Sequence, residues 1–237
     1  MNNEPPENHE AANELLAKLQ NFEDMLSQAP EDPTPDECAA MDSDAAVKAL
    51  EERRRVILSK EAGWPSKSLW SVQNEQLLCR KWMMAFLDAE RVLKKGGIVI
   101  LHGDRGTGKT RMAAELAVFL WKTEYRKAMG FFLDVRATYK AKSKLTERDV
   151  IDELATAKML VIDEIQVRGG KPFEDNLLTH LVDLRYAERL PTVLIANLPS
   201  DQLAESLGAS IVDRISENGA VILCDWPSFR GTEKNKQ

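Results

Sequence analysis

The run Gly103-Asp104-Arg105-Gly106-Thr107-Gly108-Lys109-Thr110 fits the pattern G-x-x-x-x-G-K-[ST]. Each fixed type in that pattern has a task. Glycines at 103, 106 and 108 let the backbone turn tightly and aim N–H groups at phosphate oxygens. Lys109 supplies a mobile positive charge for the β- and γ-phosphates of a nucleoside triphosphate. The Thr110 hydroxyl is a hard oxygen suited to Mg²⁺, which keeps its other positions for water and phosphate. Arg111 opens the helix that follows, whose N-terminal dipole adds to the attraction for anions. Chance alone matches four fixed positions in a chain of this size on the order of once per hundred. This match also sits directly after an apolar run, Ile98–His102.

A second constellation closes the apolar run Met159-Leu160-Val161-Ile162 with two acids, Asp163 and Glu164. Asp163 is expected to hold the hydration shell of Mg²⁺ beside Thr110, making those two the metal-site residues. Glu164 alternates to the other side, where it reaches a water near the γ-phosphate as general base or orienter. A third run, Thr192–Ala196, ends in Asn197. An amide there can hydrogen-bond the γ-phosphate or the attacking water from the same rim of a parallel sheet.

Such a site needs a scaffold that gathers strand ends. The strand candidates are Ile98–His102, Gly130–Val135, Met159–Ile162, Thr192–Ala196 and Ala220–Cys224. Their short, continuous apolar runs suit strands buried on both faces. Intervening helices are predicted at about 109–126, 146–157, 174–188 and 200–207. A further helix, about 73–94, leads into Lys94-Lys95-Gly96-Gly97, cations and then glycine, which is a helix end. The alternation predicts an α/β fold: a central parallel sheet with right-handed crossovers, flanked by helices.

With those residues in place, the chain resembles the AAA+ ATPases of the DnaC/IstB type. The resemblance rests on GDRGTGKT, VIDE, LVDLRYAERLPTVLIANLP, IVDRI and DWPSFRG, and covers roughly residues 95–231. The family comprises bacterial and phage replicative-helicase loaders and transposition helper ATPases. The resemblance implies ATP hydrolysis and puts Asn197 at the sensor-1 position. It implies that Arg214, in Val212-Asp213-Arg214-Ile215, is an arginine finger reaching a neighbouring subunit's ATP. Arg230, in Ser228-Phe229-Arg230, matches the position read as sensor 2. A finger supplied in trans makes the assembly head to tail, a ring or a helix.

The charge balance needs to be divided. The whole chain carries 32 Lys+Arg and 38 Asp+Glu, a net of −6. Residues 1–50 hold twelve acids and two bases, a net of −10, leaving 30 bases and 26 acids, a net of +4, in residues 51–237. The acidity therefore belongs to one end and does not exclude nucleic acid from the rest. Arg136, Tyr139, Lys140, Lys142 and Lys144 form a cluster of bases around an aromatic, able to track phosphates and stack on a base of single-stranded DNA. Arg168 and Lys171, in a glycine-containing loop, are a second candidate contact.

In the acidic end, Leu15, Leu19, Phe22 and Leu26 follow a 4-3-4 spacing, an apolar stripe on a helix of roughly residues 9–28. Such a stripe needs a cover, and partner docking is the expected role. The expected division is an acidic helical docking region with a Pro-rich linker (1–60), a helical connector (61–97), the ATPase domain (98–231) and a tail (232–237). Some helicase loaders carry an N-terminal cysteine-based zinc module. Here Cys38 and Cys79 are the only cysteines in the first hundred residues, too few for one. The three cysteines are far apart and fit a reducing cytoplasm. The first ten residues lack a signal peptide's basic and apolar stretches, and no apolar run is long enough to span a membrane.

The expectation is an ATP-dependent helicase loader: a homo-oligomer using ATP and Mg²⁺, gripping single-stranded DNA, and delivering a replicative DNA helicase through its N-terminal helices. The alternatives are a transposition helper that selects target DNA for a transposase, and a nucleotide-dependent interaction switch with little turnover.

Overall fold

The structure is a computed structural model. It describes residues 52, 54–59, 62–66, 79–120, 123–127, 131–132, 146–167 and 172–230. The predicted N-terminal helix and its stripe of Leu15, Leu19, Phe22 and Leu26 lie outside the described residues. In chain order the regular elements are α1 (Arg80–Leu93), β1 (Ile98–His102), α2 (Lys109–Leu120), β2 (Thr123–Lys127), α3 (Glu147–Thr156), β3 (Met159–Asp163), α4 (Pro172–Ala187), β4 (Thr192–Ile195), α5 (Ser200–Leu207), α6 (Ala209–Asn218) and β5 (Gly219–Leu223).

The five strands form one sheet in the order β2-β3-β4-β1-β5, and every pairing is parallel. Ile98 stands level with Thr192 on one side and Gly219 on the other, so β1, β4 and β5 start together. Consecutive side chains along a strand face opposite sides. Accordingly Val99, Leu101, Met159, Val161, Val193 and Ile195 pack with α1 and α2, while Ile98, Ile100, Leu160, Ile162 and Leu194 pack with α3 to α6. β1 and β3 are buried along their whole length, which explains why they read as unbroken apolar runs. β5 is an edge strand and exposes Val221 and Leu223.

Local chemistry sets several boundaries. The α3 N-terminus is a capping box: the Asp149 N–H donates to Thr146 Oγ1 (3.2 Å), and the Thr146 N–H donates to Asp149 Oδ2 (2.6 Å). The Thr146 N–H and hydroxyl, both donating to Asp149 Oδ2, hold the Asp149 carboxyl below the usual carboxylate range. The C-terminal carbonyls of α3 are met by Arg185 from α4. Its guanidinium donates to Leu154 O (2.8 Å), Ala155 O (3.3 Å), Ala157 O (2.7 Å), Pro191 O (2.7 Å) and Thr192 Oγ1 (2.9 Å). A buried cation on orphan helix carbonyls thus joins α3, α4 and the start of β4. Burial lowers the Arg185 pKa to about 10, so the side chain stays charged at neutral pH.

The structure departs from the sequence reading at two places. The expected strand Gly130–Val135 is not a strand where it is described, because Phe131 and Phe132 are helical and buried. The strand is instead Thr123–Lys127, overlapping what was expected to be the end of the helix 109–126; that helix stops at Leu120. β2 lies at the sheet edge with one buried aromatic, Tyr125, while Arg126 and Lys127 pair with Glu153 and Glu164. A strand with so polar a row resembles the solvent side of a helix in sequence. The two phenylalanines are covered by packing rather than by strand pairing. α6 was not foreseen as a separate element; Gly208, at φ 79°, divides it from α5.

Candidate nucleotide site

The segment Gly103–Thr110 joins the end of β1 to the start of α2, so the loop sits on the C-terminal rim of the sheet. Gly103, Gly106 and Gly108 have φ values of 119°, 89° and 82°, in the region that glycine tolerates. Gly106 has a second reason to be glycine, since a Cβ there would collide with Ser228 Oγ. Asp104 and Arg105 are exposed at the loop's crest. The loop is tied internally: Thr107 Oγ1 donates to Asp104 O at 3.0 Å.

Lys109 is buried, and its Nζ donates to Gly103 O (2.9 Å) and Asp104 O (2.6 Å). Burial pushes its ammonium below the usual lysine range; Arg230 pushes the same way, while Cys224, Asp163 and Asp104 oppose. Arg111 points along α2, its Nε 3.9 Å from Glu115 Oε1, and burial lowers its pKa while Glu115 opposes. Thr110 Oγ1 donates to Asp163 Oδ2 at 2.8 Å, which joins the loop to the end of β3. The same Oδ2 accepts from the Tyr125 hydroxyl (2.7 Å), and Asp163 Oδ1 accepts from the Glu164 N–H (2.7 Å).

That donor set fits Mg²⁺. Thr110 gives its proton to Asp163 and keeps oxygen lone pairs for a hard cation. No group of three or more His, Cys, Asp or Glu suited to a metal exists among the described residues. One carboxylate and one hydroxyl beside a phosphate loop is the sparse protein contribution that Mg²⁺ tolerates.

Glu164 leaves the strand geometry at φ 58°, a left-handed conformation uncommon for a residue with a side chain. Its Oε2 accepts from Lys127 Nζ at 2.8 Å, across the gap to β2. Just past β4, the Ala196 N–H donates to Leu101 O (3.0 Å), and continuing that register brings Asn197 level with the glycine-rich loop. The Asn197 N–H donates to Gln166 Oε1 (3.1 Å), linking it to the turn after Glu164.

The segment after β5 folds over the loop. Trp226 Nε1 donates to Thr107 O (2.7 Å), and the Phe229 N–H donates to Gly106 O (3.0 Å). Arg230 is thereby held above Gly106, close enough to bear on Lys109. Below the loop, Cys224 is fully buried, and burial pushes its thiol up to about 12, so it is a packed neutral group.

The sequence profile of the IstB-like ATP binding protein family matches residues 82–237. The chain belongs to this family. The replicative helicase loader DnaC of Escherichia coli (strain K12) is 26% identical over 175 residues, covering 70% of this chain and 71% of that protein. Among solved structures, DnaI superposes with a TM-score of 0.53 at 21% identity, covering 75% of this chain and all of that one. The DnaC helicase loader gives 0.52 at 15% identity, covering 65% and 93%. The fold is that of an AAA+ P-loop protein.

Within this IstB-like chain, Arg214 does not join the loop. It lies on α6 one helical turn before β5 begins, at the end of the sheet away from Gly103. Its Nη1 donates to Asp213 Oδ2 (2.9 Å), its Nε is 3.4 Å from Asp183 Oδ1, and its guanidinium lies over the Tyr186 ring. The candidate DNA residues Arg136, Tyr139, Lys140, Lys142, Lys144, Arg168 and Lys171 lie outside the described residues. No described helix is long and apolar enough to cross a membrane.

Sequence reasoning missed Tyr125, Lys127, Gln166 and Trp226. Tyr125 was hidden when its strand was read as the end of a helix, and Lys127 fell just past that helix with no element assigned to it. Trp226 stands in the quoted DWPSFRG segment, where its indole N–H was an untapped signal. Gln166 carries no pattern of its own; only the fold brings it to Asn197.

Proposed function

We propose that the chain is an ATPase that loads a replicative DNA helicase. The observation that carries the ATPase reading is the joined set Lys109, Thr110, Asp163 and Glu164 on one rim, with Arg230 above it. Loop N–H groups and Lys109 bind the phosphates of ATP. Asp163 orients Thr110 and the water shell of Mg²⁺, which when bound shields phosphate charge and polarises the γ-phosphate. Glu164 takes the proton of the attacking water, and Asn197 helps to align that water. Arg214 of one protomer neutralises charge on the γ-phosphate of the next, so hydrolysis needs a head-to-tail homo-oligomer. Its place away from its own loop supports a role between protomers.

The helicase part rests on the similarity to DnaC and on the acidic, apolar-striped N-terminal segment. In this reading residues 1–60 dock the helicase, 61–97 connect, and 98–231 form the ATPase that grips single-stranded DNA through Arg136–Lys144 and Arg168–Lys171. The test is co-purification of the full chain, and of a chain lacking residues 1–50, with the host's replicative helicase. The full chain is expected to retain the helicase, and the shortened chain to lose it while keeping DNA-stimulated ATPase activity. Failure of the full chain to bind helicase would remove the loader reading. A second reading, a transposition helper, follows from the resemblance to the DnaC/IstB type, and it predicts capture by a transposase and preference for duplex DNA.

A further inference from the structure

Asp163 is fixed by three donors from three elements. Thr110 comes from α2, the Glu164 N–H from the turn after β3, and the Tyr125 hydroxyl from β2. The terminal torsion of an aspartate is broad and roughly two-fold, so its carboxylate plane follows whatever donates to it. Thr110 alone would leave Oδ2 free to swing about one hydrogen bond. The second donor to the same oxygen removes that freedom.

The register explains how Tyr125 reaches. Tyr125 stands level with Val161, two residues before Asp163 and on the same face of the sheet. Two residues of strand are about 6.6 Å, close to the reach of a tyrosine side chain. Tyr125 is buried, and its hydroxyl donates to Asp163 Oδ2 at 2.7 Å.

Tyr125 is in turn clamped by the segment before α1. The Trp64 ring packs on the Tyr125 ring at 4.7 Å between centroids, and the Tyr125 N–H donates to Ala62 O at 2.8 Å. Gly63, at φ 83°, presses so closely that a Cβ there would collide with the Tyr125 carbonyl. The same segment is bolted to α2 by Arg54, whose guanidinium donates to both carboxylate oxygens of Glu115 at 2.9 and 2.7 Å. It therefore touches both elements that donate to Asp163 Oδ2.

We propose that Tyr125 is a positioning residue of the magnesium site, fixing the Asp163 carboxylate against Thr110, and that Trp64 holds Tyr125 in place. The proposal rests on the ATPase reading. It makes the 54–66 segment a part of the nucleotide site rather than a passive link to the N-terminal region.

The test uses the full chain and a fluorescent, non-hydrolysable ATP analogue, titrated with Mg²⁺ and repeated in excess chelator. Partners that orient a metal's ligands typically affect metal affinity by 10–100-fold. Tyr125→Phe is expected to raise the Mg²⁺ concentration for half-maximal binding about tenfold, with metal-free affinity for the analogue unchanged. Trp64→Phe is expected to shift it in the same direction by less. Trp64 Nε1 has no hydrogen-bond partner among the described residues, so this change removes none and guards against a misfolded Tyr125→Phe. A folded Tyr125→Phe with wild-type Mg²⁺ dependence would overturn the proposal. So would an equal loss of metal-free and Mg²⁺-dependent binding, which marks a purely structural role. A wild-type chain whose binding ignores Mg²⁺ would sink the ATPase reading itself, a result distinct from both.

Discussion

Asp163 at one end of the sheet and Arg214 near the other are held by different kinds of partner. Asp163 is buried, and its donors come from α2, β2 and the turn after β3. Arg214 has a side chain 31% exposed, and its neighbours are Asp213 on its own helix and Asp183 and Tyr186 on α4. Buried hydrogen bonds from separate elements keep a group in one orientation before any ligand arrives. Ion pairs and a cation–π contact between side chains that are about a third exposed are each worth about 1 kcal/mol. The first arrangement is preorganised, while the second is easily exchanged for another anion. A single protomer thus carries a preorganised rim at the candidate nucleotide site and, at the far end, a cation that can be re-partnered at small cost.

The largest expected effects test that division directly. Lys109→Ala removes the charge inside the loop and is expected to abolish ATP binding, measured with a fluorescent analogue. Arg214→Ala is expected to leave ATP affinity within about twofold, yet to lower turnover about 10³-fold, the scale of an arginine finger. Mixing the two inactive proteins should then recover part of the activity, because each supplies what the other lacks. An Arg214→Ala protein that hydrolyses ATP normally would end the trans reading and make Arg214 a surface residue.

A second arginine sharpens the contrast. Arg185 lies on α4, the helix that faces Arg214, but it is buried with its donors on carbonyls of α3 and the β4 approach and on Thr192. Arg185→Met leaves those acceptors without donors. It is expected to destabilise the fold by about 3 kcal/mol. For a chain of this size that lowers Tm by about 6–12 °C, with ATP affinity unchanged at low temperature. An equal loss of affinity would mean that Arg185 shapes the phosphate rim after all.

The legibility of these parts in the sequence follows from how local their causes are. Gly103–Thr110 is a contiguous pattern, and the apolar runs of β1, β3 and β4 are long enough to stand out. Asp163 was legible because it ends such a run. Tyr125 was not, because its meaning lies in pairing with Val161 and in a carboxylate 38 positions away. Arg185 stood in a quoted stretch without a role, since the carbonyls it serves belong to α3 and to the turn before β4. Periodicity also misassigned Thr123–Arg126, where partners on β3 outweigh the helical look of the segment.

The smallest expected effect concerns Glu164, which is less locked than Asp163 and, with its side chain 37% exposed against 31%, slightly more open than Arg214. Its backbone is committed at φ 58°, but its carboxylate is tethered by Lys127, whose side chain is 55% exposed against 37% for Glu164. A pair so open to water restrains the carboxylate by about 1 kcal/mol at most, which is roughly a factor of five. If that tether competes with the attacking water for Glu164, Lys127→Met should raise turnover by up to about fivefold and leave ATP affinity alone. Added salt screens the same pair, so it should raise wild-type turnover relative to the variant. A fall in turnover on losing Lys127 would reverse the assignment: the lysine would be aiming Glu164 at the γ-phosphate, and the preorganised rim would extend one residue further than Asp163.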